Sequence, residues 1–286
     1  MLIDTHAHLF WDSYKEDFDE VLQRANELGI ITIINVGVDT NLSEQALKQA
    51  EEIKQLAVYS TIGIHPHEAV KYHKNPDQLI QLDIDQLEEI YHQSPTKVVA
   101  VGECGLDYLF PSSAVATGGK ESNLPLDQIK NLQRQLFKAQ INLANKLDLP
   151  LLVHCRDDRS KIANNIECWL EVLDMVKNSK GILHCYSGMP EVTAKALSLD
   201  FLISFAGNLT YPKNDYLKEA AKTIPLEKIA LETDSPFLPP QSQRGQRNEP
   251  SFILETAQVL AELKSITKQK LAEQTSLNVK ALLKLS

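Results

Sequence analysis

Leu2-Ile3-Asp4-Thr5-His6-Ala7-His8 opens the chain as a short apolar run that ends in two histidines one residue apart. Side chains two apart on a strand share a face, so both imidazoles point the same way. In an open doubly wound sheet, the turn after the first strand holds a glycine-rich phosphate loop. Here that place is His-Ala-His, which turns the reading toward a closed barrel. Seven more apolar runs follow, at 30–38, 58–64, 98–103, 149–154, 181–184, 201–205 and 229–233. They are rich in Val, Ile and Leu and mostly continuous, as in parallel strands covered on both faces. Amphipathic stretches lie between and after them, at 16–28, 43–54, 77–91, 126–147, 165–176, 191–199, 215–224 and 251–263. In the first, Phe18, Val21, Leu22, Ala25 and Leu28 recur at three- and four-residue intervals. A last helix, at about 268–285, is expected to pack outside. Eight strand–helix units in 286 residues predict an α/β fold, a single-domain (β/α)8 TIM barrel over 1–286 with an extra C-terminal helix. Residues 109–123 are small, polar and glycine-containing, and read as a loop insertion at the barrel mouth: a lid, or a plain surface insertion.

Bulk properties narrow the function classes. With 43% hydrophobic residues the chain can bury a large core, and no apolar stretch approaches the length of a membrane span. The N-terminus carries no signal-peptide pattern, so the expected location is cytoplasmic, with no membrane association. Four cysteines make no disulfide framework for a chain of this size. Cys104, Cys155 and Cys185 each follow a possible metal ligand, and strand alternation predicts that they face the helices as ordinary buried thiols. A net charge of −9 argues against non-specific coating of DNA, although bound divalent ions would reverse the local potential. Nothing points to a stable protein partner.

His6, His8, Glu103, His154, His184 and Asp234 fall at the carboxyl ends of predicted strands one, four, five, six and eight. That rim is where barrel enzymes carry their active sites. One such histidine is usually structural, but six ligand-type residues on one rim predict a metal centre. Nitrogen and carboxylate donors suit Zn, Mn or Mg. Six ligands exceed what one catalytic zinc takes, and two divalent ions sharing a carboxylate use them all, with Glu103 the natural bridge.

The ordered blocks Thr5-His6-Ala7-His8, Gly63-Ile64-His65-Pro66-His67, Gly102-Glu103-Cys104-Gly105-Leu106-Asp107-Tyr108, His154-Cys155-Arg156, His184-Cys185-Tyr186-Ser187-Gly188 and Glu232-Thr233-Asp234-Ser235-Pro236 resemble the motifs of TatD-family metal-dependent deoxyribonucleases. The resemblance runs from residue 3 to about 280. It implies one metal on His6, His8, Glu103 and Asp234 and a second on Glu103, His154 and His184. It further implies hydrolysis of DNA phosphodiesters by an activated water, as a 3′-5′ exonuclease with DNA ends or single strands as substrate. Asp234 is then the expected base, beside Glu103 and His65 as catalytic residues. His65 and His67 flank Pro66 and are expected at the substrate, as phosphate contact or proton donor. The alternative for that pair is a proline-stiffened turn. Arg156 is expected to fork onto a phosphate, or to pair with Asp157 or Asp158. Arg247 and Asn248 lie in Arg244-Gly245-Gln246-Arg247-Asn248-Glu249-Pro250, similar to the family's Arg-Asn-Glu-Pro signature, and are expected substrate contacts. The chain departs from the usual pattern at 109–123 and at Arg156-Asp157-Asp158, which bears on loop contacts and substrate length.

Two other readings use the same residues. An amidohydrolase-type enzyme for a small amide, lactone or phosphoester shares His-x-His, but relatives of that kind often bridge their metals with a carboxylated lysine where Glu103 stands here. A metal-binding interaction module would tolerate a broken ligand set, and this one is complete.

Overall fold

The computed structural model describes residues 1–110, 123–159 and 164–285. Eight parallel strands form one sheet in chain order: β1 (Leu2–Ala7), β2 (Ile30–Val36), β3 (Ala57–Ile62), β4 (Val98–Asp107), β5 (Leu151–Arg156), β6 (Lys180–Leu183), β7 (Asp200–Phe205) and β8 (Ile229–Leu231). The ring closes by a bridge between Ala7 and Ser235. His8 N donates to Ser235 O at 2.8 Å, and Asp234 N to His6 O at 2.9 Å. The Asp4 carboxylate adds a clasp by accepting from Thr233 N at 2.9 Å and from Thr233 Oγ1 at 2.6 Å. The expected barrel is therefore present.

Around the strands run α1 (Phe18–Glu27), α2 (Thr40–Glu52), α3 (Pro76–Gln93), α4 (Leu126–Leu147), α5 (Glu167–Met175), α6 (Pro190–Ala196), α7 (Asp215–Thr223) and α8 (Ile253–Leu263), followed by α9 (Lys268–Leu283). Local signals start these helices where they start. Asp39 caps α2 by accepting from Leu42 N at 2.7 Å, and Pro76 opens α3 at a position that needs no amide hydrogen. Leu132, Leu136 and Phe137 of α4 bury one stripe against the sheet.

Inside the strands, Ile3, Ile34, Val99, Leu152, Ile182, Leu202 and Ala230 form a separate apolar layer. Val279 and Leu283 of α9 join it, and Asn278 Nδ2 donates to Leu226 O at 2.8 Å and to Ile229 O at 2.9 Å. The last helix stays outside the ring as expected, but it lies across the barrel's amino-terminal end and stoppers it.

One strand differs from its sequence reading. β4 runs on to Asp107, so Glu103 sits within a strand rather than at its end. Its pairing with β5 slips between Val101 and Cys104. Gly102 and Gly105 permit this, at φ 154° and 142°, where a Cβ would meet Leu152 O at 2.3 Å and His154 O at 2.0 Å. Of the expected insertion at 109–123, residues 111–122 lie outside the described residues. Leu109 N and Phe110 N, just before it, donate to Asp107 Oδ1 at 3.0 and 3.1 Å.

Candidate metal centre

All six expected ligands meet at the carboxyl end of the barrel, and the two oxygens of Glu103 divide them. Oε2 lies 3.4 Å from His6 Nε2 and 3.9 Å from His8 Nε2. Oε1 lies 2.8 Å from His154 Nδ1, 3.2 Å from His184 Nε2 and 3.4 Å from His65 Nε2. Asp234 Oδ1 completes the first side, 3.7 Å from both His6 Nε2 and His8 Nε2. Asp234 holds a left-handed φ of 59°, uncommon for a residue with a Cβ and typical of a constrained site.

Three of the four ligand rings are anchored from behind. His8 Nδ1 donates to Val36 O at 2.8 Å, and His184 Nδ1 to Glu232 Oε1 at 3.0 Å. His154 Nε2 faces Asp107 Oδ2 at 3.3 Å. A ring whose rear nitrogen carries the proton presents a lone pair at the front. The front nitrogens of His6 and His8 stand only 3.2 Å apart, with two carboxylates beside them. Lone pairs and carboxylates crowded so closely fit a cation in their midst, and the N/O donor set suits Zn, Mn or Mg. His6, His8 and Glu103 have ligand atoms within 4.8 Å of one another.

His65 is different. Its Nδ1 accepts from His67 N at 3.2 Å, so a neutral ring carries its proton on Nε2 and donates it to Glu103 Oε1. That tautomer makes His65 a donor rather than a ligand, and burial pushes its pKa down to about 3. Burial also works against the charge on Glu103, but the surrounding histidines outweigh it and hold the carboxyl well below its usual range. For His184 and His154, burial opposes protonation while the neighbouring carboxylates prevail and raise both values.

The remaining expected residues divide into two groups. His67 Nε2 pairs with Asp107 Oδ2 at 2.8 Å, and Arg156 Nη1 reaches to 4.0 Å of the same oxygen. The Arg156 side chain is 40% exposed and borders the centre, while the Asp157 carboxylate turns away to accept from Cys168 N at 2.7 Å. Arg247 and Asn248 are not brought to the ligands. Arg247 grips Asp17 through two bonds of 2.6 Å and lies over the Tyr14 ring, 4.5 Å from its centroid. Asn248 is buried and donates to Thr233 O at 2.8 Å and to Phe237 O. Arg247 thus ties the loop that carries Asp234 to the segment before α1, and Asn248 braces that loop from within.

Cys104 and Cys155 face the helices in the main apolar layer, as strand alternation predicts. Cys185 does not, because it lies past the end of β6 at φ 43°, where alternation no longer applies, and its thiol meets Asn208 Nδ2 at 3.5 Å. Burial raises all three thiol pKa values, which disfavours thiolate ligation.

Sequence reasoning missed the residues behind the ligands. Glu232 is fully buried and also accepts from Cys185 N at 2.7 Å. Asp107 serves His154, His67 and the turn after β4 together. The available signal was chemical: a buried carboxylate two residues before Asp234, and another four residues after Glu103, each need partners. Gln133 and Gln140 of α4 were also missed. Gln133 brackets the Asp107 backbone N and O at 3.0 Å each, and Gln140 brackets Ile64 at 2.7 and 2.9 Å.

Comparison with known proteins gives a consistent picture. The family model described as TatD related DNase matches residues 3–284. A protein named uncharacterized metal-dependent hydrolase YabD, from Bacillus subtilis, is 33% identical, with all of both chains covered. One named 3′-5′ ssDNA/RNA exonuclease TatD, from Erwinia amylovora, is 30% identical over 98% of this chain and 99% of its own. Among solved structures, the TatD homolog YJJV from Escherichia coli superposes with a TM-score of 0.81 at 26% identity, covering 100% of this chain and 98% of that one.

Proposed function

This chain belongs to the TatD-related DNase family of metal-dependent hydrolases, and from that premise we propose that it is a 3′-5′ exonuclease of single-stranded DNA with two divalent ions sharing Glu103. The observation that carries the reading is the split of Glu103, with Oε2 toward His6 and His8 and Oε1 toward His154 and His184. Asp234 would complete the first ligand set. When bound, the ions lower the pKa of a coordinated water and offset charge on the phosphoryl oxygens.

The chain's own residues supply the rest. Asp234 takes the proton of the attacking water, because its carboxylate is buried enough to be aimed yet still 14% exposed to solvent. Once Glu103 Oε1 is taken up by the ions, the neutral His65 turns its Nε2 proton from that oxygen to a phosphoryl oxygen. Arg156 forks onto the phosphate from the exposed side, with His67 steadying Asp107 between them. Arg247 and Asn248 act as positioning residues. Four free cysteines support action in the reducing cytoplasm.

The test is digestion of end-labelled single strands across a series of added divalent metals. Shortening from the 3′ end, lost in Asp234→Asn, is the expected result. An intact strand with every metal, or equal cleavage by the variant, sinks the reading.

A further inference from the structure

Phe10, Trp11 and Phe237 stand beside the metal centre as rings that keep part of their surface open. Their neighbours Leu9 and Tyr14 are each only 1% exposed, so this stretch of chain is able to bury apolar side chains. Among the described residues, none of the three rings joins the buried apolar layers of the barrel. The Phe10 ring centroid lies 5.7 Å from that of His8, and the Phe237 centroid 6.0 Å from it. Trp11 closes the group, 6.1 Å from Phe10 and 5.9 Å from Phe237 in an edge-on arrangement.

These rings come from the two loops that carry His8 and Asp234. Backbone bonds lock the loops together, His8 N to Ser235 O at 2.8 Å and Asp234 N to His6 O at 2.9 Å, and Phe237 N turns back to Asp234 O at 2.8 Å. The rings are thereby held in register with the ligands. The chain's net charge of −9 gives it little long-range pull on a polyanion, so a strand needs an uncharged hold beside the metals. Aromatic faces supply one, because every base has a π-face and stacking tolerates any sequence.

We propose that Phe10, Trp11 and Phe237 form a base-stacking platform for the nucleotides adjoining the scissile phosphate of a single strand. This inference rests on the nuclease reading and deepens it. The platform selects strands with unstacked bases, which a paired duplex end does not offer.

The test compares two single strands of equal length on the metal-loaded enzyme: oligothymidylate, and oligothymidylate whose 3′-terminal nucleotides are abasic. Wild type is expected to show a lower KM for the base-bearing strand. Trp11→Ala and Phe237→Ala are expected to shrink that preference by about 5- to 150-fold, the range that base–aromatic stacking covers. Trp11→Phe, which keeps an aromatic face, is expected to restore most of it. Trp11 and the fully buried Trp169 are the chain's two tryptophans, so a base-bearing, phosphorothioate-protected strand is expected to quench fluorescence more than its abasic counterpart. Equal losses on both strands, or an undiminished preference in both alanine variants, overturns the platform while leaving the nuclease reading standing. Failure of wild type to bind or cleave either strand overturns both.

Discussion

Glu103 is the residue on which both halves of the centre depend, since its two oxygens face different histidine pairs. On the proposed two-ion reading, Glu103→Ala is expected to lower bound metal from about two equivalents to one or fewer, counted after dialysis, and to abolish turnover. Retention of both equivalents would show that the carboxylate is not the bridge. Behind it, Glu232 fixes the His184 ring through Nδ1 while its own Oε2 and His6 Nδ1 remain buried without a partner among the described residues. Removing a carboxylate that orients a ligand typically costs 10- to 100-fold in metal affinity, so Glu232→Gln is expected to weaken binding by about that factor in chelator competition. An affinity unchanged from wild type would reduce Glu232 to a packing role.

At the scale of elements, the loop after β8 owes its shape to α1 and to the segment before it. Arg24 of α1 holds Glu249 through bonds of 2.9 and 2.6 Å, and Arg247 reaches back to Asp17. Tyr14 OH donates to Asn248 O at 2.7 Å, between the two pairs. Arg247→Ala is expected to cost about 1 kcal/mol in urea unfolding, the upper range for a partly exposed pair. The sign of its pH dependence follows from the carboxylates. Hydrogen bonding to Arg247 holds Asp17 low, while for Glu249 burial is outweighed by Arg24. A depressed folded pKa contributes stability above the unfolded value and loses it as pH falls through the folded one. The gap between wild type and Arg247→Ala is therefore expected to be wide at pH 7 and to narrow below about pH 4, where these carboxylates begin to protonate. A gap that widens on acidification would contradict the clamp. Asn248→Ala is expected to cost more, about 1–3 kcal/mol, because Thr233 O is left buried without its donor.

The whole molecule separates its two ends. The carboxyl end of the barrel collects charge and metal ligands, while α9 seals the amino end with apolar contacts. Leu283→Ala is expected to destabilise the fold by about 2–4 kcal/mol, as for a buried leucine whose site cannot fully collapse. Because Leu283 lies at the far end from Glu103, kcat per folded molecule should match wild type, and a matching fall in kcat would mean that the ends are coupled. Metal binding acts on the same stability from the other side. An ion held only by the folded chain adds about 4 kcal/mol when present at a thousand times its Kd, so chelation is expected to lower the melting temperature in proportion to free metal. In Glu103→Ala the same chelation should shift melting far less.

Sequence alone determined the barrel and the gathering of six ligand-type residues at its rim, because both are written in local patterns. Continuous Val/Ile/Leu runs specify buried parallel strands, and His6, His8, His154 and His184 lie within or just beyond them, where strand direction brings them to one rim. What lay beyond reading were relations between distant residues. The slip at Gly102 that places Glu103 inside β4 depends on how closely β5 approaches. The tautomers of His65 and His184 are set by His67 N and by Glu232, and only folding brings Glu232 to His184. Arg247 and Asn248 had the composition of substrate contacts, and only the fold shows that Asp17 and Thr233 are among their bonding partners. Periodicity encodes which face a residue takes, whereas the partner a polar atom finds on that face is decided by the packing of the whole chain.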